Sequence, residues 1–238
     1  MNRYAKSIEN YMKEKGLALT PRCEMVEIDG EKHIYLEGGI YKDDMWGDAE
    51  ISAKKVRTML DGDVVIHLNS PGGSTFEGVA IYNTLKDHPG KVTVQIDGIA
   101  ASAASIVAMG ADVIRSRPSS MMMIHKGWTI AIGNSDEFRE TAQMLDKIDE
   151  ASDKAYMERF NGKPEELDAM LRAETFLTAE DAFAVGLIDE IMEDEPKEEP
   201  KEPAEPAAQT AEEPKATLYD KFKASKTDAN FYAKFRRI

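Results

Sequence analysis

Cysteine is all but absent. The single Cys23 in 238 residues leaves no internal disulfide framework possible, which fits a reducing compartment without demanding one. Long uncharged apolar runs are missing too, so no stretch reads as a bilayer span. The opening MNRYAKSIENYMKEKGLAL is charged and helix-patterned, without the apolar core of a signal peptide. Positive charge is in deficit: the formal net charge is -14, whereas a general nucleic-acid surface needs an excess of Lys and Arg on one face. No repeat at a fixed period is visible. These absences exclude a disulfide scaffold, a membrane-spanning protein and a general nucleic-acid binder, and they predict a soluble cytoplasmic protein.

Much of the negative charge is local. It gathers in EDEPKEEPKEPAEPAAQTAEEPK, residues 193 to 215, which has no aliphatic pattern able to offset the entropy of ordering. The organisation expected is an N-terminal helical segment (1–22), one catalytic-size domain (23–192), an acidic Pro/Glu/Lys-rich linker (193–217) and a basic tail (218–238). The tail carries Leu218, Phe222, Phe231, Tyr232 and Phe235, and reads either as a frayed end or as a docking peptide.

Within the domain, apolar runs of strand length alternate with amphipathic runs of helix length, the pattern of an α/β fold. CEMVEI and KHIYLEG flank Asp29-Gly30, a tight hairpin signal. VVIHLNS and VTVQID read as strands, each followed by a helix. DVIRS and SSMMMIHK read as two further strands, the second ending at His125. A long helix follows from about Ser135, taken as its N-cap, to Phe160. PEELDAMLRAE and TAEDAFAVG are two more helices, and LIDEIM is the closing strand.

Acyl transfer requires a nucleophile, a base within hydrogen-bond reach, a group that orients the base, and donors for the oxyanion. Asn69-Ser70-Pro71-Gly72-Gly73-Ser74 joins a strand to a helix, and its glycines let a substrate carbonyl approach a backbone N–H. Alone it is an ordinary turn, and no Lys follows to make it a phosphate loop. Gly98-Ile99-Ala100-Ala101-Ser102-Ala103-Ala104-Ser105 sets Ser102 at a helix start, near the positive end of the dipole. Alone Ser102 is as readily a helix cap, and Ser105 reads as packed inside. His125 closes MMMIH, where a lone histidine is commonly structural. His67 reads as packed in mid-strand, and His33 and His88 as residues near turns, away from these motifs.

The three motifs in this order, each at a strand end, closely resemble the Clp proteolytic subunit family of serine peptidases over about residues 34 to 191. ETFLTAEDAFAVGLIDEI continues the similarity. The resemblance implies Ser102 as nucleophile, His125 as general base, and the backbone N–H groups of Gly73 and Ala103 as the oxyanion hole. It implies substrate held as an extended strand along Gly72 to Ser74 and the loop from Gly127 and Trp128 to Ile132. Where the family usually has an aspartate before the FLT-like stretch, this chain has Glu174. Glutamate can still accept from the imidazole if its backbone is set further back. A surface glutamate at a helix end, with Asp168 as the substitute, stays open.

The fold implied is the spiral α/β arrangement shared with crotonases, assembled into homo-oligomeric rings, with no metal or cofactor. The divergent hairpin, the AASAAS and ETFLTAEDA variants and the charged tail look most like the Clp-related head maturation proteases of tailed bacteriophages. That likeness implies capsid or scaffold proteins as substrates, in the host cytoplasm or the prohead interior. The alternatives are a general Clp-type subunit working with an ATPase, a crotonase-like enzyme, or a catalytically silent scaffold subunit.

Overall fold

A computed structural model describes residues 21–42 and 51–193. The expected linker beyond 193, the basic tail, and residues 1–20 of the N-terminal segment lie outside them. The fold is the mixed α/β arrangement that the resemblance implied. Strand β1 (Arg22–Ile28) and β2 (Glu31–Glu37) form the expected antiparallel hairpin, with Asp29 and Gly30 both at positive φ. There follow α1 (Ala53–Met59), β3 (Val64–Ser70), α2 (Thr75–Lys86), β4 (Val92–Ala101), α3 (Ala103–Met109), β5 (Val113–Ser116) and β6 (Met121–Ile124). The chain continues through α4 (Ser135–Met157), α5 (Pro164–Arg172), β7 (Thr175–Thr178), α6 (Ala179–Ala184) and β8 (Glu190–Ile191).

The strands join in one sheet of order β1-β2-β3-β4-β5-β8, with β6 pairing β4 and β7 pairing β6. Parallel ladders run from β2 to β5, and their inward residues Ile34, Leu36, Ile66, Leu68, Val94 and Ile96 are buried. Each such aliphatic side chain contributes about 1.5–3 kcal/mol on leaving water. Helix α3 is short and apolar apart from Ser105, and all of it is buried. That composition lets it sit in the middle of the domain. Helix α4 is largely exposed until Ser152, Ala155 and Tyr156, which turn inward.

Two local readings need correction. Ser135 is the first helical residue of α4, and the cap is Asn134, whose side chain accepts from Asp136 and Glu137 while Glu137 returns to the Asn134 N–H. Asparagine is as good a cap as serine, and the reciprocal glutamate decides the register. Strand β4 runs past Asp97 to Ala101. The β3–β4 register shifts between Leu68 and Ser70, and the Asn69 carboxamide accepts from Ile99 N–H at 3.2 Å. That bond occupies a backbone donor which the irregularity would otherwise leave open.

His33 lies near the start of β2, just after the Asp29-Gly30 turn, and its Nδ1 is 3.0 Å from His67 Nε2 on β3. His67 Nδ1 donates to Asp97 at 2.8 Å, and Asp97 also accepts from Gln95 and Arg117 at 2.7 and 3.1 Å. Among the described residues, no helix is long and apolar enough to cross a membrane.

Burial alone would raise the Asp97 carboxyl, but the donors from His67, Gln95 and Arg117 outweigh it and hold the group below its ordinary value. A carboxyl depressed in the folded state contributes stability that is complete above the unfolded value of about 3.9 and is lost as pH falls through the folded one. Thermal melts of wild type and Asp97→Asn should therefore differ at neutral pH and converge in acid. A gap that stays constant on acidification would refute this linkage.

Candidate active site

Strand β4 divides its edge between two partners. Thr93 to Ile96 pair with β5, and Ile99, Ala100 and Ala101 pair in parallel with Met121, Met122 and Met123 of β6. The first residue after β4 is Ser102, whose N–H donates to Met123 C=O at 2.9 Å. His125 follows the end of β6. Parallel strands end on the same side of a sheet, so these two chain ends meet. His125 Nε2 lies 2.7 Å from Ser102 Oγ.

Ser102 occupies the N-cap position of α3, yet its side chain makes no capping bond. The cap reading therefore does not describe this hydroxyl. Its backbone has φ 55° and ψ -125°, a conformation that costs a non-glycine residue roughly 1–3 kcal/mol and persists only where the surroundings enforce it. Three bonds to its carbonyl do so: from Ser105 N–H at 2.9 Å, Ile106 N–H at 3.4 Å and Ser105 Oγ at 2.6 Å.

The glycine loop lies against this turn. Gly72 has φ 91° and Gly73 φ 149°. A methyl on Gly72 would sit 2.5 Å from Ala101 O, 2.8 Å from Ser102 Cβ and 2.9 Å from Ala103 N. A methyl on Gly73 would sit 2.2 Å from Ile40 O. Ile40 braces the loop from behind, donating to Gly72 C=O at 2.9 Å and accepting from Ser74 N–H at 2.7 Å. Among the described residues, no hydrogen bond engages the N–H of Gly73 or of Ala103. Both residues line a cleft of about 750 Å³ that also takes in Gly72, Ser74, Ser102, His125, Gly127 and Trp128. The structure thus gathers every predicted site residue but one.

That one is Glu174. The antiparallel β6–β7 ladder ends at Ile124 opposite Thr175, so one further step sets Glu174 opposite His125. Its carboxylate makes no hydrogen bond to the imidazole, and among the described residues none reaches His125 Nδ1. The physical reason is local: Glu174 closes the turn after α5 at φ 50°, donates its N–H to Leu171 C=O at 3.3 Å, and leaves its side chain exposed. Asp168 is engaged elsewhere, with Lys126 at 3.0 Å and Arg172 at 2.7 Å. Lys126 also faces Asp153 at 3.4 Å and Asp149 at 3.9 Å. Burial alone would lower its ammonium, but these carboxylates hold it above the usual lysine value. Asp149 further accepts from Gly127 N–H at 2.7 Å, so α4 and α5 together clamp the segment just after His125.

The sequence model of the Clp protease family matches residues 51–195 of this chain, more than half of it. The chain belongs to the Clp protease family. Members of this family are peptidases, generally of the serine type, which form oligomeric rings and act on protein substrates. Against that background the motif reading missed two contributors, Ile40 behind the glycine loop and Tyr156 beneath Ser102, while Ser105 is packed inside as expected. Ile40 follows Gly38-Gly39 at the end of β2, a strand end parallel to that of β3, and this was the available signal. Nothing local marked Tyr156 beyond its place on the inward face of α4.

Gly72→Ala should lower peptide hydrolysis by about 10²-fold or more, the scale of losing an oxyanion donor, with the far-UV circular dichroism spectrum retained. Undiminished hydrolysis would mean that the close approach of Gly72 to Ala103 is not needed.

Proposed function

We propose that the protein is a serine endopeptidase that cleaves through an acyl-enzyme, with Ser102 as nucleophile and His125 as general base. The observation that carries this reading is the 2.7 Å contact between Ser102 Oγ and His125 Nε2 at the edge of the cleft. His125 Nε2 takes the hydroxyl proton as Oγ attacks the scissile carbonyl. The N–H groups of Gly73 and Ala103, which make no other hydrogen bond among the described residues, receive the oxyanion. The imidazolium then protonates the leaving amine, and a water activated the same way releases the acyl group. Substrate lies extended along Gly72 to Ser74 on one side and Gly127 to Trp128 on the other.

A histidine that accepts at Nε2 carries its proton on Nδ1, and Glu174 is the orienting group in this reading. It is supported by the β6–β7 register and by the tendency of catalytic hydrogen bonds to be loose in the free enzyme and to tighten on substrate. The silent-subunit reading draws on the same place, the unengaged Nδ1. A fluorophosphonate probe separates the two: it should label the wild type, not Ser102→Ala, and only weakly His125→Ala. Glu174→Ala should slow labelling by about tenfold or more. Equal labelling of Ser102→Ala would remove the nucleophile assignment, and an unchanged rate in Glu174→Ala would reduce the triad to a dyad.

The biological role we propose is that of a phage prohead protease, a ring-forming homo-oligomer that trims capsid or scaffold proteins. The divergent β1–β2 hairpin, the AASAAS and ETFLTAEDA variants and the charged tail support it over a general subunit partnered by an ATPase. Co-expression with neighbouring structural genes should yield capsid or scaffold fragments by intact-mass spectrometry, absent with Ser102→Ala. Identical masses in the two cultures would count against this role.

A further inference from the structure

Beneath the cleft lies a buried chain of hydroxyls that the reaction scheme leaves unused. Ser105, on α3, is 0% exposed; its Oγ donates to Ser102 C=O at 2.6 Å and lies 2.7 Å from the Tyr156 hydroxyl. Tyr156 comes from α4 and is 1% exposed. Ser105 has a single hydroxyl proton and directs it at Ser102, so the proton between the two side chains is the tyrosine's. Burial raises the Tyr156 phenol far above its ordinary value, so it remains a donor throughout the neutral range.

The acceptor at the end of this chain is half of a peptide unit whose other half matters for the chemistry. In a planar trans peptide, the C=O of one residue and the N–H of the next point in opposite directions. Ser102 C=O and Ala103 N–H are the two ends of one such plane. The backbone N–H groups of Ser105 and Ile106, in the first turn of α3, hold that carbonyl at 2.9 and 3.4 Å, and the Ser105 hydroxyl adds a third bond at 2.6 Å. Whatever holds the Ser102 carbonyl also sets the direction of the Ala103 donor.

We infer that Ser105 and Tyr156 are positioning residues that hold the Ser102 carbonyl and thereby aim the Ala103 N–H at the developing oxyanion. The inference rests on the reading of Ala103 as an oxyanion donor. Donation from Tyr156 polarises the Ser105 hydroxyl and strengthens its bond to Ser102. Through Tyr156, helix α4 reaches the reacting centre although it contributes neither nucleophile nor base.

The test uses the full-length protein, a fluorogenic peptide that it cleaves, and a matched peptide boronate whose tetrahedral adduct places an oxygen in the oxyanion hole. Ser105→Ala alone strands a buried tyrosine hydroxyl and can fail to fold, so Ser105→Ala/Tyr156→Phe, which removes both polar groups, is compared with Tyr156→Phe and Ser105→Thr. The double variant should lower kcat by about 10- to 100-fold, less than the ~10²–10³ of losing a donor outright, with KM changed by less than about twofold. Boronate affinity should fall by the same factor, while affinity for the product acid holds and Ser105→Thr retains most of the rate. A lower melting temperature with kcat per labelled Ser102 unchanged would overturn the inference, leaving these residues a packing role. A wild type that neither cleaves peptides nor labels at Ser102 would overturn the peptidase reading, and the inference with it.

Discussion

The parallel ladder between Ile99–Ala101 of β4 and Met121–Met123 of β6 is the constraint on which the site depends. It spans three residue pairs, and both strands end within two residues of the groups that meet. A slip of one residue would turn every side chain to the opposite face. The ladder exists because β4 outlasts its pairing with β5, and β4 can continue because Asn69 occupies the Ile99 N–H where the β3–β4 register breaks. The edge that β6 takes is the one β5 leaves after Ser116. The meeting of serine and histidine follows from strand pairing, with no long flexible loop involved.

Around that ladder the backbone is held under strain by rigid neighbours. Ser102 adopts a positive φ, and its carbonyl accepts three hydrogen bonds. Its strain of roughly 1–3 kcal/mol is comparable to the burial of one or two aliphatic side chains. Helix α3, buried along its whole length, fixes the far side of the turn. The glycine loop comes so close to Ala103 N that no Cβ fits at Gly72, and Ile40 closes off the rear of Gly73. Rigid donors of this kind need no reorganisation when charge develops on a substrate oxygen.

Charge is arranged to hold segments in place. Lys126, next to His125, faces three aspartates from α4 and α5, while the His33–His67–Asp97 chain knits β2, β3 and β4 about the other histidines. Of the histidines in these two settings, only His125 faces a serine hydroxyl. Glu174 differs from both networks in standing exposed, opposite His125 by register but not bonded to it.

Much of the fold was legible because its signals are local: the period-two runs of β3, the Asp29-Gly30 turn, the Pro164 start of α5 and the length of α4 all act over a few residues. The order of SPGG, AASAAS and MMMIH likewise made Ser102 and His125 candidates through the resemblance to the Clp family that this order carries. What the sequence could not decide was any relation that depends on distant partners. The extension of β4 needed Asn69 from β3, whereas the Asn134 cap, with Glu137 three residues on, was a local signal that the choice of Ser135 passed over. The hydroxyl chain from Tyr156 to Ser102 needed α4 packed on α3. The side chain of Glu174 was set by the turn after α5, which register alone does not fix. By itself, then, the sequence determined most of the elements, their order and a candidate pair of residues. The tertiary structure alone decided that the Ser102 hydroxyl meets His125 without capping α3 and that, among the described residues, two N–H groups stay free, because both depend on backbone directions imposed from across the sheet.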